Sequence, residues 1–134
     1  MRLLLALCLL ATPALADEYI VFQSPTGNIQ CGLYVGSDGS GVRCDLSQMT
    51  GQSYSHRPAG CEYDWGSSFA VDGVGKGYLA CVSDAVGDGS GLVIGYGEQI
   101  SLGGITCSSQ KSGMTCVNPS GHGFTVAKAK QRLF

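Results

Sequence analysis

Apolar residues recur along the chain in short alternating runs, separated by polar turns rich in glycine. Tyr19-Ile-Val-Phe-Gln23 and Asn28-Ile-Gln-Cys-Gly-Leu-Tyr34 are typical. Beyond residue 16 no window sustains apolar positions at i, i+3, i+4 and i+7, the signature of an amphipathic helix. Runs rich in Val, Ile, Tyr, Phe and Thr instead predict strands at 19–23, 28–34, 41–45, 68–71, 78–82, 92–96, 104–108, 114–117 and 124–126. Short strands at this spacing predict an all-β fold, a small sandwich or partly open barrel of antiparallel strands. Residues 46–60 lack strand character and read as a surface loop. In the tail, Lys128, Lys130 and Arg132 would share one strand face, but Ala127-Lys-Ala-Lys-Gln-Arg-Leu133 also suits a short helical turn, which is the expectation here.

The first sixteen residues follow a different pattern. Met1-Arg2 opens them, an unbroken apolar run follows from Leu3 to Leu10, and Ala14-Leu15-Ala16 is a small-x-small cleavage site. Residues 1–16 therefore read as a secretory signal peptide and 17–134 as one mature domain. Removing the leader takes away Cys8 and Arg2, leaving six cysteines and seven basic against ten acidic residues, a formal charge of −3. All 21 glycines remain. No later stretch is apolar for the roughly 18 residues a membrane helix needs. A mildly acidic chain without a basic stripe argues against nucleic acid as a partner. The expectation is an exported monomer, periplasmic or extracellular, with no membrane span.

Export gives the cysteines their meaning, because an oxidising compartment favours bridges over thiols. Their spacing has no Cys-x2-4-Cys knuckle, so zinc is not called for. Six cysteines allow 15 pairings. Local pattern selects among them: Cys31 and Cys44 flank a turn at Asp38-Gly39, and Cys107 and Cys116 flank one at Ser112-Gly113. Each pair suits a hairpin with its cysteines opposed, which leaves Cys61 with Cys81.

The segments Ser24-Pro-Thr-Gly-Asn-Ile-Gln-Cys31, Val42-Arg-Cys-Asp45, Asp64-Trp-Gly66, Tyr96-Gly97 and Gly121-His-Gly-Phe124 together resemble a group of small exported bacterial proteins known as a domain of unknown function. The likeness spans the mature chain. It implies export and a disulfide framework, and brings no activity with it. Where that group often carries Ser-Arg after the closing motif, this chain has Ala127-Lys128.

Few residues offer chemistry. His122, flanked by Gly121 and Gly123, suits a general base or a ligand, and more simply a loop histidine held by hydrogen bonds. Asp64 beside Trp65, the single tryptophan, is a pairing suited to stacking on a sugar and hydrogen-bonding its hydroxyls; the simpler reading is a core tryptophan on the Cys61 to Cys81 bridge. Arg43 and Asp45 share a strand face and suit an ion pair. Residues 84–91 lack the acids of a calcium loop, and Gly73-Val-Gly-Lys-Gly77 reads as a hairpin turn, not a phosphate loop. No catalytic set is complete, and no cofactor is implied. The leading expectation is a non-enzymatic module that binds an envelope protein or glycan through Arg43, Asp64, Trp65 and His122. The alternatives are a small hydrolase using His122 with Asp64 or Asp45, and an inhibitor of an exported enzyme.

Overall fold

A computed structural model describes residues 16–134, so the expected signal peptide, apart from Ala16, lies outside the described residues. The described chain is all-β. Its strands are β1 (Glu18–Gln23), β2 (Ile29–Gly36), β3 (Gly39–Leu46), β4 (Ser68–Asp72), β5 (Tyr78–Leu79), β6 (Leu92–Val93), β7 (Gln99–Leu102), β8 (Ile105–Gln110), β9 (Gly113–Val117), β10 (Gly123–Val126) and β11 (Gln131–Leu133). They form two sheets, ordered β5-β4-β3-β2-β1-β6 and β11-β10-β9-β8-β7, which do not close into a barrel. Pairing is antiparallel throughout except that β6 joins β1 in parallel.

Alternation decides which side chains face inward. Phe22, Leu33, Val42, Phe69 and Val71 from the first sheet meet Ile105, Met114, Phe124 and Val126 from the second in a single buried cluster. The expected hairpins form, with Cys31 directly opposite Cys44 and Cys107 opposite Cys116. Their Cα atoms stand 4.1 and 4.0 Å apart, the close spacing of a non-hydrogen-bonded antiparallel pair, and both bridges join the core cluster. Cys61 pairs with Cys81 and ties the long 47–67 segment to the chain beyond β5. Gly39 takes φ 120° after the Ser37-Asp38 turn, a conformation that L side chains avoid.

The tail departs from expectation. It is not a helical turn: residues 131–133 form β11, paired with β10 as Phe124↔Leu133 and Val126↔Gln131. Local propensity is overridden by tertiary partners that the isolated segment does not reveal. Buried Gln131 donates through Nε2 to Gly51 O (3.0 Å) and Ala127 O (2.9 Å), and its Oε1 accepts from Ser53 N at 2.9 Å. The same loop explains why 47–67 needs no strand of its own, since Thr50 N donates to Lys128 O. The expected strand at 92–96 stops at Val93, because Gly95 and Glu98 close a turn there.

Candidate functional site

The outward face of the six-stranded sheet is built from two rows of alternate residues. In one row Tyr19, Tyr34, Gly41 and Asp72 follow one another across β1 to β4; in the next come Val21, Gly32, Arg43, Ala70 and Tyr78. The small residues matter because tyrosines lie over them. A Cβ on Gly41 would overlap the Tyr34 phenol, and one on Gly32 would overlap the Tyr19 phenol. Two rings therefore rest on glycine backbone, and Tyr78 joins them through Asp72; all three keep surface open to solvent, Tyr19 being 57%, Tyr34 40% and Tyr78 42% exposed. Asp72 fixes two of them, accepting from Tyr78 Oη at 3.0 Å and from Tyr34 Oη at 3.4 Å.

Arg43 closes the lower side of this face. Its guanidinium grips Asp45 through Nε and Nη2, both at 2.8 Å, and reaches Asp84 Oδ1 at 3.1 Å. Asp45 also accepts from Val86 N at 3.0 Å, so the fork holds the 83–87 segment down on the sheet. Forked arginine-carboxylate geometry fixes direction as well as distance. Beyond it, Gln23 Nε2 donates to Gly89 O and Gly91 O, covering the rest of the face. Among the described residues the tyrosine half stays open.

The remaining expected residues lie elsewhere. Trp65 is half-buried outside the core cluster, beside Met49–Gln52, with the Arg57 guanidinium 5.9 Å from its ring centre. Asp64 pairs by backbone with Val82, and its side chain is exposed. His122 N donates to Asn118 Oδ1, while Asn118 Nδ2 reaches Asp72 O and Gly75 O, so the histidine loop is pinned to the β4–β5 turn. Trp65 precedes the Ser68 end of β4 and His122 sits by its Asp72 end, so the two occupy opposite ends of the sandwich. Among the described residues no carboxylate stands within ion-pairing distance of His122.

A cavity of about 450 Å³ opens at the Ser68 end, between the two sheets. The Ser24–Asn28 turn, Ser47 and Gln48 form one wall; Tyr96, Gln110, Lys111 and Lys128 form the other. The resemblance motif supplies part of that wall and stiffens it, Asn28 exchanging two hydrogen bonds with the Gln48 backbone.

The model of a family of unknown function (DUF6636) matches residues 2–134. The chain belongs to that family. No curated protein and no solved structure matches it. This DUF6636 protein carries three disulfides, which fit an oxidising environment such as export provides, and among its described residues no helix is long and apolar enough to cross a membrane. Among its described residues no group of three His, Cys, Asp or Glu side chains is placed to hold a metal ion.

The tyrosine face was missed in the sequence, though a signal existed. Tyr19, Gly32, Tyr34 and Gly41 all fall on outward positions of strands whose inward positions are apolar, and outward tyrosines beside outward glycines mark a ring lying over backbone. The face also titrates late. Burial first, then the hydrogen bond and charge of Asp72, push the Tyr78 phenol far above the ordinary tyrosine range. Burial followed by the Asp72 charge raises Tyr34, and burial raises Tyr19 against the opposing pull of Arg43. A phenol whose pKa rises on folding loses its proton more easily when unfolded. Its contribution is complete below the unfolded value near 10 and is lost as pH climbs through the folded one. Urea midpoints should therefore hold to about pH 10 and fall above it, and Tyr78→Phe should flatten that fall; an unchanged slope in the variant would refute the assignment.

Proposed function

We propose that this domain is a non-enzymatic binding module that takes a neutral glycan chain of the cell envelope on its tyrosine face. The observation that carries the reading is the open tyrosine row resting on glycine. Pyranose rings present flat C–H faces ringed by hydroxyls, and rigid amphipathic aromatics meet the first while fixed polar groups meet the second. Tyr19, Tyr34 and Tyr78 offer the ring surfaces, and Asp72, held by two phenols, offers a directed acceptor beside them. Neither group needs to be ordered on binding, which removes part of the entropic cost of association. Arg43 serves this face by holding its border in place.

The test is titration of the oxidised protein with cellohexaose and with chitohexaose, read by amide NMR. At least one should shift the amides around Tyr19, Tyr34 and Tyr78 in a saturable way, and Tyr34→Ala should weaken it about tenfold, the roughly 1.4 kcal/mol of one stacked ring. Gly41→Ala separates the ring's position from its presence. Gly41 has an ordinary extended backbone, so the methyl should cost less than about 1 kcal/mol of stability while lifting the Tyr34 ring and weakening the glycan to a similar degree. Unchanged affinity in both variants, or no response to either sugar, overturns the proposal.

A further inference from the structure

The cavity at the Ser68 end is separate from the tyrosine face, and its chemistry differs. We infer that it is a second site, taking an acidic sugar through its carboxylate. Its size falls within the usual range for small-ligand sites. Lys111 and Lys128 contribute to its lining, and no aspartate or glutamate does. Among the described residues neither lysine has a carboxylate within ion-pairing distance, in a protein whose acids outnumber its bases. Two unneutralised ammonium groups around one recess favour an anion, and more so in low salt.

The other lining groups say which kind of anion. Gln48 and Gln110 offer side-chain amides that make no hydrogen bond among the described residues, and half-exposed Tyr96 offers a ring. The wall that carries Gln48 is already fixed through its backbone: Ser24 Oγ accepts from Ile29 N at 3.1 Å, and Asn28 is tied to the Gln48 N and O. A compact inorganic anion would use the lysines and leave the amides and the ring without partners. A pyranose carrying a carboxylate uses all three, with hydroxyls to the amides, a C–H face to Tyr96 and the carboxylate to the ammonium groups.

The experiment follows amide NMR shifts of the oxidised protein with D-glucuronate, D-glucose and inorganic phosphate in 20 mM and 200 mM salt. Glucuronate should shift Asn28, Gln48, Tyr96 and Lys111 saturably, with affinity falling at the higher salt, while glucose and phosphate bind at least tenfold more weakly. The double variant Lys111→Gln/Lys128→Gln should lose at least tenfold for glucuronate and keep its thermal midpoint, and Lys111→Arg/Lys128→Arg should restore most of the affinity. Equal binding of glucose, phosphate binding as tight as glucuronate, or an unaffected glutamine variant each overturns the inference. Tyr34→Ala should leave glucuronate binding unchanged, so this site and the tyrosine face can fail independently.

Discussion

Reducing all three disulfides should unfold the protein, and the bridges should open in a fixed order. In the chain-entropy picture, closing loops with sequence separations of 9, 13 and 20 residues is worth roughly 3 kcal/mol each. Together that equals a typical whole-domain stability of about 5–15 kcal/mol. The order follows from access. Cys81 is exposed, so a thiolate can reach the Cys61 bridge in the folded state, whereas both sulfurs of the two hairpin bridges are fully buried between the sheets. Mild reductant followed by alkylation should first yield a species with two thiols labelled, both on Cys61 and Cys81, that retains near-UV dichroism. Stronger reductant, or denaturant with reductant, should label the other four together as the dichroism disappears. Labelling of all six in parallel, or a fully reduced chain that still melts cooperatively, would contradict this.

The same three pairs show how much the sequence could reveal. Hairpin bridges were legible because both ends of each lie within one local alternation and one turn, so pattern alone sets Cys31 against Cys44 and Cys107 against Cys116. The tail was not, because the deciding partners of Gln131 are Gly51 and Ser53, far away in a segment with no periodicity. Strand β7 went unnoticed for a milder reason. Gln99-Ile-Ser-Leu102 alternates correctly, but it is short and lies between glycine turns. Site residues follow the same division. Arg43 and Asp45 are two apart on one strand and do meet, while Trp65 and His122, placed by loops, end at opposite ends of the sandwich. The tyrosine face needed the cross-strand register of β1, β2 and β3, which no single segment encodes.

Gly123→Ala should be among the most damaging single-methyl changes available to this fold. Gly123 belongs to the closing Gly-His-Gly-Phe motif, where its φ is unremarkable; the constraint is space. A Cβ there would collide with the carbonyl of Cys116 and crowd Val117 Cα, both backbone atoms of the neighbouring strand. Backbone cannot swing aside as a side chain does. Cys116 is held by its bridge in the core, and Gly123 exchanges hydrogen bonds with Phe134 at 2.8 and 3.0 Å while Phe134 O also receives Gly77 N at 2.9 Å. Relief therefore requires β9 and β10 to part, at a cost of about 3 kcal/mol, or roughly 10 °C in thermal midpoint for a domain of this size. Gly121, two residues earlier, is the control. It has φ 82° and open space around its missing Cβ, so Gly121→Ala should cost only about 1 kcal/mol through backbone strain. Thermal melts of the two variants side by side decide the matter: equal losses, or a larger one at Gly121, would mean that conformational freedom and not the close approach of β9 is what the motif's second glycine provides.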